Sequence, residues 1–276
     1  MTMNSVNTNV GALIALQNLG ATTNQLSQSQ NRINTGLKVA SAKDNGAIWA
    51  IAQNQRADVS ALDSVKDSLQ RGQSVVDVAI SAAETVSDLL NQMKAKALAA
   101  SDASIDTAAR TALNEDYKAL REQIKKTVAN ASFNGANLLK TSAANLTSLA
   151  DATGTSKLTT VAQSMVLGST NVTVTATSSF NTATLASTAL GLVNTSITNV
   201  NAAIAKLGTA SKSLQTHLDF IGKLQDTMVG GIGNLVDADV AKESATLQAL
   251  QTKQQLGVQA LSIANSSSSI LLNLFR

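Results

Sequence analysis

The sequence predicts a mainly α-helical protein, built as a long antiparallel coiled-coil-like rod with paired terminal helices and a small β-hairpin region. Three observations lead to this fold class. Apolar heptad repeats occur in both halves of the 276-residue chain, and none of its residues is proline, so nothing forces a break in a long helix. The two ends of the chain, residues 1–31 and 254–275, contain no charged residue although both are helical in pattern.

The N-terminal helix is predicted from Leu19, Leu26 and Ile33, which recur every seven residues with Leu16 and Leu37 at flanking steps. The C-terminal helix has a similar but less regular stripe, formed by Val240, Leu247, Leu250, Val258 and Leu261. A solvated helix normally covers its outer face with lysine and glutamate. The uncharged ends therefore predict helices packed on most sides by other helices. Frayed, disordered tails are the alternative, and the apolar periodicity argues against them.

Two central segments carry regular heptad repeats, in which steps of three and four residues alternate. The first consists of Leu62, Val65, Leu69, Gly72, Val76, Ala79, Ala83, Val86, Leu90, Met93 and Ala97. The second consists of Val193, Ile197, Val200, Ile204, Leu207, Ser211, Leu214, Leu218, Ile221, Gln225 and Met228. At 1.5 Å per residue, each repeat predicts a helix roughly 60 Å long.

A third helix is predicted from about Asp106 to Asn130, with Ser104 or Asp106 as its N-cap. The turn before it is short, which makes this helix an antiparallel neighbour of the first heptad helix. Because the long helices come from both halves of the chain, their packing would bring the two termini to the same end.

The segment from Phe133 to Asn181 loses the helical period and is dense in threonine, serine and asparagine. Residues 172–175 alternate as a strand does, and residues 151–154 have turn chemistry. These features predict exposed, loosely packed hairpins, with a plain linker as the alternative. Further on, Gly230, Gly231 and Gly233 predict a hinge or helix break before the last helix.

Composition and motifs argue against an enzyme. The chain has no cysteine, one histidine (His217), six aromatic residues and a net charge of only +3. No cluster of His, Cys and carboxylates has metal-ligand spacing, and no phosphate-binding loop is present. Asp237 and Asp239 are interpreted as the acidic first turn of the last helix. We therefore expect no catalysis, no cofactor, no nucleic-acid binding and no membrane insertion.

Four ordered motifs resemble those of bacterial flagellins, in the style of alphaproteobacterial members. Residues 31–44 read Asn-Arg-Ile-Asn-Thr-Gly-Leu-Lys-Val-Ala-Ser-Ala-Lys-Asp, and residues 133–135 read Phe-Asn-Gly. Residues 234–244 read Asn-Leu-Val-Asp-Ala-Asp-Val-Ala-Lys-Glu-Ser. Residues 254–265 and the terminal Leu274-Phe275-Arg276 resemble the closing helix of the family. Together the motifs cover about the first 140 and the last 95 residues.

The resemblance implies a division of the chain into five segments. These are a core-domain helix and spoke at 1–44, rod-domain helices at 45–132, a β-hairpin or outer segment at 133–182, a rod-domain return helix at 183–229 and a core-domain helix at 230–276. It implies a secreted, extracellular subunit of the flagellar filament, with self-assembly into a helical homopolymer for swimming motility. Other flagellins, junction and cap proteins, the type III export apparatus and a chaperone are the partners that it implies.

The terminal stripes make up the candidate assembly interface, together with the one tryptophan, which stands where the family commonly has a smaller aliphatic residue. This set is Leu16, Leu19, Leu26, Ile33, Trp49, Leu247, Leu250, Val258 and Leu261. A buried packing role for Trp49 is the alternative. Two other functions stay open at this point: a hook–filament junction protein, which would share the terminal helices, and a secreted helical effector or translocator.

Overall fold

The computed structural model describes residues 8–274, with side chains described as far as residue 266. Its elements are α1 (Val10–Thr35), α2 (Gly46–Ala100), α3 (Thr107–Asn130), β1 (Leu146–Leu149), β2 (Lys157–Thr160), α4 (Ala183–Val236) and α5 (Val240–Leu274). The mainly α class with a small hairpin is thus confirmed. Phe275 and Arg276 of the terminal motif lie outside the described residues.

The chain divides into two compact units. The central unit is residues 58–226, and the terminal unit comprises the segments up to residue 57 and from residue 227 onward. Both α2 and α4 begin in one unit and end in the other.

The core of the central unit follows the predicted heptads. Every position of the first repeat is buried. In the second repeat the residues at every seventh position are buried, namely Val193, Val200, Leu207, Leu214 and Ile221. Contacts of Asp63 with Gln225 and of Ser87 with Asn201 make α2 and α4 antiparallel.

The turn from α2 into α3 is held by one buried arginine. The side chain of Arg110 donates to the carbonyl oxygens of Ala100, Asp102 and Ile105, which lie at or beyond the end of α2. These carbonyls have no partner within the helix, so the guanidinium caps the helix. Asp106 is the N-cap of α3, as predicted, and its Oδ1 accepts from the backbone N–H of Ala109 at 2.6 Å.

The hairpin is antiparallel, with Leu146 opposite Thr160 and Leu149 opposite Lys157. The turn predicted at residues 151–154 joins its strands, and Gly154 adopts φ 71° there. Ser68 of α2 accepts from Leu149 N–H at 3.0 Å. The hairpin therefore packs on α2.

The strand predicted at residues 172–175 is wrong, and so is the expectation of loose packing. This segment is irregular, and Val172 and Val174 are fully buried. The buried hydroxyl of Ser196 on α4 accepts from Thr173 N–H at 2.9 Å, and Thr173 Oγ1 lies within 2.9 Å of Leu192 O. Hydrogen bonds to a helix replace those of a sheet, and the alternating valines fill the core of the central unit.

Residues 178–180, which precede α4, are held in place by one face of α3. Asn114 Oδ1 accepts from Phe180 N–H at 2.8 Å, and Arg121 Nη1 donates to Ser178 O at 2.7 Å. The rings of Tyr117 and Phe180 meet edge to face with centroids 5.1 Å apart. Burial raises the pKa of Tyr117, while its hydrogen bond to Ser178 opposes the shift.

The helix break predicted at Gly230–Gly233 is also wrong. Helix α4 continues through these glycines to Val236. A glycine in a helix interior costs only about 1 kcal/mol relative to alanine, and no proline is present to remove a backbone donor. Packing of Ile232 and Val236, both buried, supports the last turns.

Candidate assembly surface

The terminal helices α1 and α5 pack against each other in antiparallel orientation. Near one end of the pair, Asn9 Nδ2 donates to Ala264 O at 2.7 Å. Midway along, the Leu19 side chain packs against Gly257, since a Cβ placed on this glycine would lie 3.3 Å from Leu19 Cδ1. The beginning of α1 thus lies beside the late part of α5, as the prediction for the two ends requires.

A polar clasp joins the other end of the pair. Glu243 of α5 accepts from Ser29 Oγ at 2.7 Å and from Arg32 Nη1 at 2.9 Å. The hydrogen bond from Ser29 is the largest of the causes that lower the pKa of Glu243, followed by the bond from Arg32. A charged glutamate is therefore favoured at this contact between the helices.

The loops that flank the clasp are paired through their backbones. Gly36 adopts φ 70° and ends α1, and its carbonyl accepts from Ala238 N–H at 2.8 Å. Lys38 N–H donates to Val236 O at 2.8 Å, and Leu37 bridges to Asp237. The glycine of the motif at residues 31–44 is thus required, since few other residues adopt this φ.

The same motif ends in a tight turn capped by Asp44. Its Oδ2 accepts from the backbone N–H groups of Ala40 and Ser41 and from Ser41 Oγ. The backbone hydrogen bond from Ser41 is the main cause that lowers the pKa of Asp44. Asn45 Oδ1 then accepts from Ile48 N–H at 3.1 Å, which begins α2. The motif therefore builds the connection between α1 and α2.

The Phe-Asn-Gly motif forms a two-residue turn in the central unit. Phe133 and Ala136 exchange both backbone hydrogen bonds, at 2.9 and 3.0 Å. Asn134 and Gly135 between them adopt φ 48° and 79°. Positive φ at both positions favours asparagine and glycine, which explains the residue types.

The polar groove beside the clasp has a volume of about 800 Å³. It is lined by charges of both signs, including Arg32, Lys38, Asp44, Asp237 and Glu243. Asp239 at its edge caps α5 by accepting from Lys242 N–H at 3.1 Å. Most of these groups hold loops or helix ends, so their role here is structural.

No group of three or more His, Cys, Asp or Glu side chains within residues 8–266 could hold a metal ion. His217 is half-buried, and its Nε2 lies 2.8 Å from Ala150 O. Among the helices described, none is long and apolar enough to cross a membrane.

Both terminal helices expose large apolar side chains, and Leu13 and Leu16 of α1 line a shallow groove together with Leu261 of α5. On α1 the exposed side chains are Val10, Leu13, Ile14 and Leu16, and on α5 they are Val240, Leu256, Val258 and Ile263. Leu256 and Ile263 are 60% and 70% exposed and stand seven residues apart on one face. The pair thus exposes more large apolar side chains than the contact between its two helices buries.

The nine residues of the predicted interface fall into two groups. Leu16 and Val258 are exposed. Leu19, Leu26, Ile33, Leu247, Leu250 and Leu261 are half-buried or buried, on or near the face that joins α1 to α5. Trp49 is half-buried in the first turn of α2. The exposed residues at 10, 13, 14 and 256 were not predicted, although spacings of three and four residues among the first three are visible in the sequence.

Comparison with known proteins agrees with this architecture. Residues 6–144 match the family model for the bacterial flagellin N-terminal helical region, and residues 190–275 match that for the C-terminal helical region. Flagellin FljM of Caulobacter vibrioides is 56% identical over the full length of both chains. A flagellin of Brucella melitensis is 38% identical over 99% of this chain and all of its own.

A solved structure shares the fold at low identity. The putative flagellar hook-associated protein from Vibrio parahaemolyticus has a TM-score of 0.58 and 13% identity, covering 70% of this chain and all of that one. This likeness extends to the fold alone.

The helical architecture and these matches define a class, the structural proteins of the bacterial flagellum. Within that class the chain belongs to the bacterial flagellin family, and its resemblance to alphaproteobacterial members is confirmed. It is a self-polymerising subunit of the flagellar filament that drives motility. Flagellar filaments built from such subunits are extracellular.

Proposed function

We propose that the exposed apolar side chains of α1 and α5 form the surface through which copies of this chain pack in the filament. The observation that carries the proposal is their exposure on two helices that already pack against each other through other residues. Burying a large aliphatic side chain contributes roughly 1.5–3 kcal/mol when it goes from full exposure to none. The side chains that are half to two-thirds exposed would contribute about half of this each.

The proposal gives the predicted interface residues two roles. Leu16 and Val258 contact neighbouring copies, together with Leu13, Leu256 and Ile263. Leu19, Leu26, Ile33, Leu247, Leu250 and Leu261 hold the pair in the geometry that presents this surface. Trp49 packs within its own subunit, since about two-thirds or more of its surface is covered in the single chain.

We extend the proposal to the organisation of the chain. Segments 1–44 and 230–276 form a core domain, 45–132 and 183–229 form a rod domain, and 133–182 forms a small outer segment. The boundary at 229/230 falls inside α4, so one helix would belong to both core and rod.

The family resemblance supports further partners. We infer export of this chain through the flagellar type III apparatus with a chaperone, followed by polymerisation beneath cap proteins and contact with junction proteins and other flagellins. The uncharged ends support this order of events, because isolated helices of that composition cannot bury their apolar stripes until neighbours are present.

The experiment compares two double variants of the full chain. Leu256→Gln with Ile263→Gln places amides on the proposed surface. Leu98→Gln with Leu185→Gln changes exposed leucines of the central unit and is the matched control. We expect the first variant to remain helical by circular dichroism but to form no filaments in electron micrographs. Filaments of normal yield from the first variant would refute the proposed surface.

A further inference from the structure

The second heptad repeat is interrupted by two polar residues at positions where the pattern demands apolar side chains, Ser211 and Gln225. Both face α2 and find polar partners there. Gln225 is buried, and its Nε2 donates to Val59 O at 3.0 Å and to Asp63 Oδ1 at 2.8 Å. We call this the Gln225 layer.

The second polar layer lies two heptads away. Ser211 Oγ accepts from Gln73 Nε2 and donates to Asp77 Oδ1 at 3.4 Å. Gln73 also donates to Asp77, at 2.9 Å. We call this the Ser211 layer, and it joins α2 to α4 as the Gln225 layer does.

The layers share one register. Fourteen residues separate Asp63 from Asp77 on α2, and fourteen separate Ser211 from Gln225 on α4. An exposed contact, Ser87 Oγ to Asn201 Oδ1 at 3.3 Å, has the same offset. All three contacts can therefore form only in one axial alignment of the two antiparallel helices.

The heptad repeats of α2 and α4 alone do not select this alignment. On α4 the fully buried residues Val193, Val200, Leu207, Leu214 and Ile221 repeat every seven positions, and α2 presents a similar repeat. A slip of seven residues moves one helix by about 10 Å and again places apolar positions opposite each other. The slipped alignment would instead put Leu218 beside Asp63 and Ile204 beside Asp77, leaving the carboxylates without their donors.

The polar layers also make the packing of α2 against α4 less stable than apolar side chains at the same positions would. Gln73 Oε1 is buried and has no hydrogen-bond partner among the described residues. A partly satisfied polar group in a helical core is less stable than a well-packed apolar side chain, and its best-attested benefit is the choice of register.

We propose that the Gln225 and Ser211 layers lock the axial register of α2 against α4 in the central unit. A filament of identical copies needs every copy to have one shape, and a copy slipped by a heptad could not occupy an equivalent site. The lock serves assembly by excluding such copies, at some loss of stability for the single chain.

Because the chain has no cysteine of its own, disulfide formation between pairs of introduced cysteines can report the register. Cysteines at Ser87 and Asn201 report the native register, because these side chains touch. Cysteines at Ser87 and Asn194, or at Ser87 and Gly208, report slips of seven residues in the two directions. Each pair is placed in the otherwise unchanged chain and in Ser211→Leu with Gln225→Leu, refolded at low concentration and oxidised.

In the unchanged chain we expect the native pair to exceed either slipped pair by about tenfold or more in disulfide yield. In the variant without polar layers we expect the ratio to fall below about threefold, with an equal or higher melting temperature. Ser213→Leu with Gln215→Leu is the matched control. It changes the same residue types on exposed positions of α4, where Gln215 bonds only within the helix, and should keep the native ratio.

Asp63→Leu with Asp77→Leu removes the carboxylate of each layer on the α2 side, leaves Val59 O and Gln73 in place, and should lower the native ratio by a smaller factor. Retention of the native ratio in both layer variants would overturn the proposal. Loss of helical folding in both would also overturn it, because the layers would then be needed to fold the unit and not to choose among its registers.

Discussion

Replacing Glu243 by glutamine tests the clasp that joins α1 to α5. The carboxylate accepts hydrogen bonds from Ser29 and Arg32, at 2.7 and 2.9 Å. About a third of the Arg32 side chain is exposed, so solvent screens the ion pair, and such pairs contribute roughly 0.2–1 kcal/mol. Glutamine can still accept from Ser29, so the loss at this bond is the difference between a charged and a neutral acceptor, about 1 kcal/mol. The substitution should therefore cost about 1–2 kcal/mol for each subunit.

The assay is the concentration of free subunit that remains at equilibrium with filaments. We propose that the terminal helices order only when neighbouring copies are present, so the clasp forms on polymerisation. A loss of 1–2 kcal/mol then raises this concentration about 5- to 30-fold at neutral pH. Glu84→Gln, at an exposed position of α2, is the control and should leave it unchanged.

The pH dependence provides a second arm of the same test. The pKa of Glu243 in the folded chain is lowered from its ordinary value of 4.5. Its contribution is therefore complete above pH 4.5 and is lost as the pH falls through the lowered pKa. The wild-type filament should lose this contribution below pH 4.5, where the difference from Glu243→Gln should shrink. Equal subunit concentrations for the two chains at neutral pH would refute the clasp as a stabilising contact.

Three further changes test the fold and the terminal helices. Arg110→Ala should destabilise the chain by about 2–3 kcal/mol in thermal unfolding, because three carbonyls lose their cap, whereas Arg56→Ala at an exposed site should have little effect. Phe180→Ala should cost about 3–5 kcal/mol and the exposed Phe220→Ala well under 1 kcal/mol; similar melting temperatures would contradict the packing of Phe180 on Tyr117. Removing residues 258–276 should abolish filaments yet leave a cooperative helical melt, and polymerisation of the truncated chain would rule out α5 as an assembly element.

The long helices were predictable because their signal is local and periodic. Every position of the first heptad repeat is buried, and α3 begins at one of the two proposed caps. The axial offset of the helices was not predictable, because a heptad repeat looks the same after a shift of seven residues. It became visible only when Asp63 and Asp77 were found beside Gln225 and Ser211.

The segment between α3 and α4 was predicted least well, for a physical reason. Its valines alternate like those of a strand, but their partners are Ser196 of α4 and the core of the central unit. Such contacts join residues far apart in sequence, and β-propensity describes a half-buried surface more than a backbone preference. The clamp of Asn114, Tyr117 and Arg121 on residues 178–180 was missed for the same reason.

The candidate assembly surface stays a prediction, and the structure adds exposed residues to it. The uncharged ends indicated helices covered on most sides, and α1 does project apolar side chains on several sides. Heptad stripes identify the face that a helix buries first, and here that face joins α1 to α5. Exposed residues such as Ile14 and Leu256 lie off the stripe and are recognised only once the inner face is occupied.

The sequence predicted a break at the glycines near the end of α4, whereas the structure has a continuous helix there. Replacing these glycines by alanine distinguishes the two. In a continuous helix, Gly230→Ala and Gly231→Ala should each stabilise by about 0.5–1 kcal/mol, because alanine loses less backbone entropy and a Cβ at either site meets nothing within 4 Å. Gly233→Ala should gain less, since its Cβ would lie 2.7 Å from Asp237 Oδ2 and the carboxylate must rotate away. Thermal unfolding of the three variants measures the difference. If the chain instead bends at these glycines, alanine at 230 and 231 would destabilise it, and that result would refute the continuous helix.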